Sequence, residues 1–174
     1  MTVGDQKQLR TALGQFATGV AVITAQDAAG GLIGLTMSSF NSVSLDPPLI
    51  LFSVDRRANS LKALLDAEGY AVNILSRDQE ELSNRFARAL SDKWSNVEHS
   101  LGHAQAPLLH GAIAHFECAP YGQHDGGDHV IVVGRVLRFA FNPDAEPLVF
   151  FRGKYHSLKS GDERPPEWPL PMHY

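Results

Sequence analysis

Residues 129–141 read HVIVVGRVLRFAF, a run that is apolar on both faces except at Arg135 and Arg138. A strand that is apolar on both faces needs cover on both faces. Such strands suit a closed barrel whose outside is covered by helices or by a partner chain. The stretch therefore predicts a long strand in a mainly β domain.

The segments on either side of this strand predict shorter strands and a few helices. Apolar and β-branched runs predict further strands at residues 17–25, 32–44, 49–54, 70–75, 111–118 and 148–151. Helical periodicity predicts short helices at residues 5–16, at residues 59–67 and from Asp78 onward. Because helices and strands do not alternate strictly, a barrel of six to seven strands with a few flanking helices is favoured over a doubly wound sheet.

Local sequence patterns add details of burial, helix capping and turns to these predictions. The first helix carries an apolar stripe that we expect to be buried. This stripe consists of Leu9, Ala12, Leu13 and Phe16. Asp78 and Glu81 resemble a capping box at the start of the third helix. Residues 121–127 predict a turn, and residues 91–110 predict a long irregular segment of the kind that often has a function.

Composition indicates one globular domain and argues against several classes of partner. The chain has 174 residues, 44% of them hydrophobic, and a net charge of −4, so a nucleic-acid partner is not expected. No apolar run approaches the roughly 20 residues that span a bilayer, and the first ten residues lack the apolar stretch of a signal peptide. The single cysteine, Cys118, cannot form an internal disulfide, and we therefore expect a reducing, cytoplasmic location.

The first candidate binding segment, residues 34–48, sets small hydroxyl side chains beside apolar strand positions. Its candidate residues are Thr36, Met37, Ser38 and Ser39. Such residues let a planar ligand approach the backbone, whose N–H and C=O groups can pair with the polar edge of a ring. The same composition also fits a polar strand edge followed by a turn, and the segment alone does not separate these interpretations.

The second candidate segment, residues 53–60, joins the end of a strand to the start of a helix. Helix N-termini bind phosphate through free N–H groups and the helix dipole. Side-chain donors and cations reinforce this pattern: Ser53, Arg56, Arg57, Asn59 and Ser60. Plain helix capping by Asn59 or Ser60, with solvated arginines, remains an equal alternative.

The third candidate segment is Gly126-Gly127-Asp128-His129, immediately before the longest strand. An aspartate beside a histidine can orient or charge the imidazole, and the glycines allow the backbone to turn sharply. A hairpin turn with exposed polar residues is the alternative interpretation.

A metal site competes for the same region, because His124, Asp125, Asp128 and His129 are possible ligands. Further histidines lie upstream at His103, His110 and His115. Their spacing matches none of the familiar metal motifs, so we expect no metal. A serine hydrolase lacks its G-x-S-x-G elbow, and a dinucleotide-binding Rossmann fold lacks its G-x-G-x-x-G motif.

Taken together, residues 9–155 resemble the flavin reductase family of FMN-binding split-barrel proteins, which includes the reductase components of two-component monooxygenases. The segments that carry the resemblance are FATGV at 16–20, residues 36–48 ending in SLDPP, GDH at 127–129, and LVFFRGKY at 148–155. The resemblance implies a split-barrel domain over residues 1–160. Residues 161–174 form an extended, proline-rich tail in this prediction.

The resemblance also implies a role for each candidate residue. His129, with Asp128 beside it, would face the nicotinamide. The residues that would line the flavin ring and ribityl chain are Thr36, Met37, Ser38 and Ser39. Those that would surround the ribityl chain and phosphate are Ser53, Asp55, Arg56, Asn59 and Ser60. Those that would close the site or lie near the cofactors are Arg85, Phe86 and Tyr155.

The implied activity is that of an NAD(P)H:flavin oxidoreductase that reduces FMN or FAD and works as a homodimer. NADH is the expected donor, with NADPH left open, and the reduced flavin would diffuse to a separate monooxygenase. The alternative is a flavin-binding electron carrier or storage protein without efficient nicotinamide oxidation. The Asp128–His129 pair favours the enzyme.

Overall fold

The structure is a computed structural model that describes residues 5–89 and 92–158. These residues form three α-helices and twelve β-strands. The helices are α1 (Gln6–Leu13), α2 (Leu61–Leu65) and α3 (Glu80–Phe86). The strands are β1 (Thr18–Gly19), β2 (Ala21–Gln26), β3 (Leu32–Met37), β4 (Asn41–Leu45), β5 (Pro48–Asp55), β6 (Tyr70–Ile74), β7 (His99–Leu101), β8 (Pro107–Leu109), β9 (Ala114–Gly126), β10 (His129–Phe141), β11 (Val149–Phe151) and β12 (Lys154–His156). The predicted tail at 161–174 lies outside the described residues.

Seven strands form one antiparallel sheet in the order β3-β2-β6-β9-β10-β5-β4. A flat sheet of this size would separate its edge strands, β3 and β4, by roughly 29 Å. Only residues 38–40 connect those two strands, and such a connection spans at most about 14 Å. The sheet therefore curls into a barrel that stays open at this one seam, which confirms the predicted mainly β fold.

Two apolar clusters cover the two faces of the sheet. The larger fills the barrel around Ile23, Phe52 and Tyr70, and the smaller lies between the sheet and the elements outside it, around Phe86 and Leu148. Strand β2 contributes to both clusters, and both β2 and β6 are buried on both faces. No helix of the described residues is long and apolar enough to cross a membrane.

The long strand β10 has the predicted bounds, but the turn before it is shorter than predicted. Strand β9 continues through residues 121–126, so the prediction of a turn at 121–127 is wrong. Gly126 pairs with His129, and only Gly127 and Asp128 make the turn. Gly127 has a φ of 75° and Asp128 has a negative φ, the pattern of a type II′ hairpin with glycine in its first position.

Two helical predictions differ from the structure. The apolar stripe of α1 is not buried in the single chain, because Leu13 is 66% exposed and Phe16 is 77% exposed. The third helix is preceded by a 3-10 turn, where the backbone N–H of Ser76 donates to the side chain of Gln79 at 3.1 Å. Ser76 and Gln79, rather than Asp78 and Glu81, therefore cap this helix.

The predicted irregular segment at 91–110 contains the short hairpin β7–β8. Asn73, buried in the sheet, holds this hairpin. Its side-chain oxygen accepts a hydrogen bond from the Leu109 N–H at 2.8 Å, and its amide donates to the Val22 carbonyl at 3.1 Å. Because buried amides need such partners, this pairing fixes the hairpin against the barrel.

Candidate active site

A cleft of about 550 Å³ opens at the seam of the barrel. We call it the ring cleft. Three pieces of chain form its walls: the end of β3 with residues 38–39, the end of β5, and the β9–β10 hairpin. The lining residues are Leu35, Thr36, Met37, Ser38, Ser39, Ser53, Val54, Asp55, Ala58, Gly126, His129 and Ile131. Seven predicted site residues therefore line one cleft, although they come from three separate segments of the sequence.

The hydroxyl groups of this cleft hold its walls together. Ser39 Oγ accepts from the Ser53 N–H at 2.9 Å and contacts the Ser53 carbonyl at 3.1 Å, so one side chain takes the place of a strand partner. Thr36 Oγ1 donates to the Ser83 carbonyl at 2.7 Å, which ties β3 to α3. Because these two hydroxyls are engaged, Ser38 is the one residue among Thr36, Ser38 and Ser39 whose hydroxyl has no partner among the described residues.

His129 stands at the rim of the ring cleft with its imidazole held from one side. Its Nδ1 lies 2.7 Å from Asp128 Oδ1, and the hydrogen bond from His129 holds the pKa of the Asp128 carboxyl below its usual range. A carboxylate acceptor fixes Nδ1 as the protonated nitrogen. This leaves Nε2 as the nitrogen available to a ligand.

Asp55 and Arg57 form a second fixed group beside His129, since Asp55 pairs with His129 across the β5–β10 ladder. Arg57 donates to Asp55 through Nε at 3.0 Å and Nη2 at 2.6 Å, and its backbone N–H donates at 2.8 Å. These hydrogen bonds hold the pKa of the Asp55 carboxyl far below its usual range. Asp55 is thus an ionised acceptor rather than a proton donor in the cleft.

Arg56, predicted near the phosphate, braces the hairpin that carries His129. Its Nε donates to the Gly127 carbonyl at 2.9 Å, and its Nη2 donates to Asp125 at 2.7 Å. The backbone N–H of Arg56 also donates to the Asp128 carbonyl at 2.9 Å. The structure therefore brings Arg56 to the back of the hairpin, where it fixes the position of His129.

A second cavity of about 810 Å³ continues from the ring cleft, and we call it the outer cavity. The two share Leu35 and Ala58. Asn59 and Ser60, predicted as phosphate ligands, line the outer cavity, and their side chains make no hydrogen bond with any described residue. Helix α2 has only five residues, so its dipole adds little and these free polar side chains are the better phosphate ligands.

Arg85, Phe86 and Tyr155 do not line either cavity. Arg85 points to the other side of α3, where Nη1 donates to the Ser95 carbonyl at 2.8 Å. Phe86 is fully buried against β3, and a Cβ at Gly34 would lie 2.4 Å from its ring. The Tyr155 hydroxyl lies 2.8 Å from Ser83 Oγ. These three residues support the walls of the site from behind.

Lys93 and Trp94 are among the lining residues that no sequence pattern predicted as parts of the site. Both line the outer cavity and come from the segment predicted as irregular. The length of that segment was the only signal for a function, because nothing local indicates which strand it covers. Trp94, whose indole N–H donates to the Leu32 carbonyl at 2.9 Å, fastens the segment across β3.

The structure also bears on the alternative of a metal site and on the reactivity of Cys118. Among residues 5–89 and 92–158, no three histidine, cysteine or acidic side chains converge in a way that could hold a metal ion. Cys118 is buried in the barrel, and burial raises the pKa of its thiol to about 12. A thiol in that state is not a nucleophile.

Comparison with known proteins identifies the family. The sequence profile of the flavin reductase like domain matches residues 13–159. The reductase subunit of a flavin-dependent monooxygenase from Rhodococcus jostii is 35% identical over 164 residues, which cover 94% of this chain and 84% of that protein. An FMN reductase (NADH) from Agrobacterium fabrum is 41% identical over 151 residues, which cover 87% of this chain and 85% of that protein.

Solved structures give the same result. An NADH:FAD oxidoreductase from Streptomyces globisporus, in complex with NAD and FAD fragments, superposes with a TM-score of 0.89 at 35% identity and covers 94% of this chain and 98% of that one. The chain also spans about half the length of some curated relatives that it matches, 49% in two cases. The profile match and these relatives lead to one conclusion: this chain belongs to the flavin reductase like domain family.

Proposed function

We propose that this protein is an NAD(P)H-dependent flavin reductase that transfers hydride from a reduced nicotinamide to FMN or FAD. The observation that carries the proposal is the ring cleft, an open cleft lined by small hydroxyl side chains and apolar residues, with the His129–Asp128 pair beside it. The names of the relatives support the same activity, since they include an NADH-dependent FMN reductase and an NADH:FAD oxidoreductase.

The residues present fit a flavin. The ring cleft offers backbone groups at the barrel seam, while the free side chains of Asn59 and Ser60 lie just beyond Ala58, where a phosphate would follow the ring. A bound flavin would supply the hydride acceptor. The protein's part is to hold the nicotinamide and flavin rings in the orientation that hydride transfer requires.

The chain's own residues account for that positioning. Asp128 holds the His129 imidazole in one orientation, so Nε2 can make a hydrogen bond to the carboxamide of a nicotinamide. Arg56 ties the hairpin to β5, and Arg57 keeps Asp55 ionised beside it. No acid, base or nucleophile is needed for the hydride step itself, so we assign His129 to orientation and not to proton transfer.

We further propose that the protein works as a homodimer. The apolar stripe of α1 and the outer end of β10 are exposed in the single chain, with Phe139 at 67% and Phe141 at 68%. Exposed apolar surface of this kind marks interaction sites. The partner we propose for this surface is a second copy of the chain, because most soluble oligomers are symmetric homo-oligomers.

The product of the proposed reaction, reduced flavin, would leave by diffusion and serve a separate monooxygenase. The Rhodococcus relative, which is named as the reductase subunit of a flavin-dependent monooxygenase, supports this proposal. NADH is the expected donor and NADPH the alternative. We also propose a cytoplasmic location, since the single, buried cysteine suits a reducing compartment.

The direct test is oxidation of NADH and of NADPH in the presence of riboflavin, FMN or FAD. We expect turnover that depends on added flavin. Flavin binding without turnover would instead indicate a carrier or storage protein, and no affinity for any flavin would overturn the proposal altogether.

The phosphate assignment has its own test in Ser60→Asp. The added charge should weaken FMN binding by roughly tenfold, since a like charge near the phosphate costs about 1 kcal/mol or slightly more. Riboflavin lacks the phosphate, so its affinity should not change. Equal loss for both flavins in fluorescence titrations would mean that the substitution disturbs the cleft and not a phosphate contact.

A further inference from the structure

Met37 lies on the wall of the ring cleft, at the end of β3. The side chains of a strand alternate between its two faces. Thr36, the preceding residue, donates to the Ser83 carbonyl of α3 outside the barrel, whereas Met37 packs against the larger apolar cluster inside the barrel. The half-buried Met37 side chain therefore belongs to the apolar wall that separates the ring cleft from the barrel core.

Met37 and Cys118 are the two sulfur-containing residues in the part of the chain that the structure describes. Cys118 is fully buried in the barrel, and burial raises the pKa of its thiol to about 12, so the reactive thiolate is absent. The thioether of methionine needs no ionisation to react with an oxidant, and Met37 borders an open cleft. Met37 is therefore the described sulfur that an oxidant in the ring cleft would reach.

We propose that Met37 is a modification site, at which hydrogen peroxide oxidises the thioether to a sulfoxide and thereby lowers the affinity of the ring cleft for flavin. The inference rests on the proposed function, because that function supplies the oxidant. Reduced flavin that meets oxygen before it reaches an oxygenase passes two electrons and two protons to O₂. The products are oxidised flavin and hydrogen peroxide.

The oxidation of Met37 is a balanced two-electron step. The sulfur attacks one oxygen of hydrogen peroxide, the O–O bond breaks, an S–O bond forms and water leaves. The sulfur loses the two electrons that the peroxide gains. The result is methionine sulfoxide, which replaces a flexible apolar side chain with a polar one.

The surroundings of Met37 direct the added oxygen into the ring cleft. Strand β3 is pressed against α3, since a Cβ at Gly34 would lie 2.4 Å from the Phe86 ring. On its inner side Met37 meets the buried cluster that contains Ile23 and Phe52. A polar oxygen without a hydrogen-bond partner is destabilised in such a cluster. The oxidised side chain would therefore make the cleft narrower and more polar where the ring is proposed to bind.

This modification would adjust flavin reduction to the use of its product. While an oxygenase consumes the reduced flavin, little peroxide forms and Met37 stays reduced. When the product is not consumed, peroxide accumulates, Met37 is oxidised and flavin binding weakens. Methionine sulfoxide reductases return the sulfoxide to methionine, so the inhibition would be reversible.

The first test treats the whole flavin-free chain with hydrogen peroxide and locates the added oxygen by mass spectrometry of its peptides. We expect one oxygen atom at Met37 and none at Cys118. The affinities for riboflavin, FMN and FAD should all fall by about tenfold, as an unpaired polar group beside the ring that they share would cause. Fluorescence titration measures these affinities.

Met37→Leu is the matched control, because leucine has a similar volume and no sulfur. After the same treatment this variant should keep the flavin affinity of its own untreated sample. It also controls for oxidation at Met1 and Met172, which lie outside the described residues. A mixture of methionine sulfoxide reductases A and B should restore the affinity of the oxidised wild type.

The second test asks whether turnover itself supplies the oxidant. The protein is incubated with NADH and flavin in air, without an oxygenase. Met37 sulfoxide should accumulate, and catalase or the exclusion of oxygen should prevent it. Turnover in air that leaves Met37 unoxidised would overturn the proposal.

Three other outcomes are decisive. Met37 sulfoxide with unchanged flavin affinity would overturn the proposal, as would equal loss of affinity in the wild type and in Met37→Leu. If the variant does not fold, the repair experiment decides, because a loss of affinity that the sulfoxide reductases do not reverse has another cause. Absence of flavin-dependent turnover in untreated protein would instead indicate failure of the proposed function, and the peroxide-treated protein would still show whether oxidation at Met37 controls flavin binding.

Discussion

The two halves of β10 have similar apolar composition but opposite surroundings. The inner half, His129 to Arg135, pairs with both β5 and β9, and Val130 and Val132 are buried in the barrel. The outer half, residues 136–141, pairs with β9 alone and leaves Phe139 and Phe141 exposed. The sequence pattern predicts that the whole strand is apolar, but whether its side chains are buried depends on the strands that pack beside it. One strand can therefore build the barrel at one end and, as we propose, a subunit interface at the other.

The largest effect is expected from a charge placed in the inner half of β10. Val132 is fully buried in the barrel core, so Val132→Asp places an unpaired carboxylate in an apolar environment. We expect a loss of roughly 4 kcal/mol or more in the free energy of unfolding, enough to abolish folding of a marginally stable domain. Denaturant unfolding followed by circular dichroism measures it. A variant that unfolds like the wild type would mean that Val132 is not part of a closed core.

The same charge in the outer half should have a different effect. Phe139→Asp adds a carboxylate to exposed surface, so the barrel and its flavin affinity should be preserved. In a symmetric dimer the substitution occurs twice, and loss of two buried phenylalanines should weaken association by roughly 3 kcal/mol or more. Sedimentation velocity should then find a monomer. Phe139→Leu is the apolar control and should remain a dimer; an unchanged dimer in Phe139→Asp would remove the outer half from the interface.

A smaller effect is expected at the first residue of the inner half. His129→Ala removes the proposed contact to the nicotinamide and should raise the KM for NADH or slow hydride transfer by about tenfold, as loss of one good hydrogen bond does. Flavin affinity should be unchanged. The matched control is His124→Ala, since His124 lies on the same hairpin and lines neither cavity. Equal kinetics in both variants would remove His129 from the nicotinamide site.

The smallest expected effect tests how the hairpin is held. Arg56→Gln removes the ion pair to Asp125 and weakens the contact with the Gly127 carbonyl, both of which are exposed. We expect the KM for NADH to rise by about threefold, without change in flavin affinity, because exposed ion pairs contribute little. Arg56→Lys should restore part of the loss. A fall in flavin affinity would instead support the phosphate role first predicted for Arg56.

Some residues of the site could be predicted from local sequence patterns, and others could not. Thr36 to Ser39 and His129 could be named in advance, because hydroxyl-rich strand ends and an Asp-His pair after glycines are visible in the sequence, and the structure brings both to the ring cleft. The contacts that hold Arg56 and Tyr155, by contrast, could not be predicted from the sequence. Their partners, Asp125 and Ser83, are 69 and 72 residues away in the chain, so no local signal could reveal that these contacts hold the walls of the site.

The sequence by itself determined the class of fold, the bounds of β10 and the family, because alternation of apolar residues and short motifs are local properties that the backbone must follow. Only the tertiary structure decided which apolar surfaces are covered, as α1 and the outer end of β10 demonstrate. It also decided that Lys93 and Trp94 extend the cleft into a second cavity. These properties depend on strand order and on where a long segment packs, and both are fixed by contacts between residues far apart in the chain.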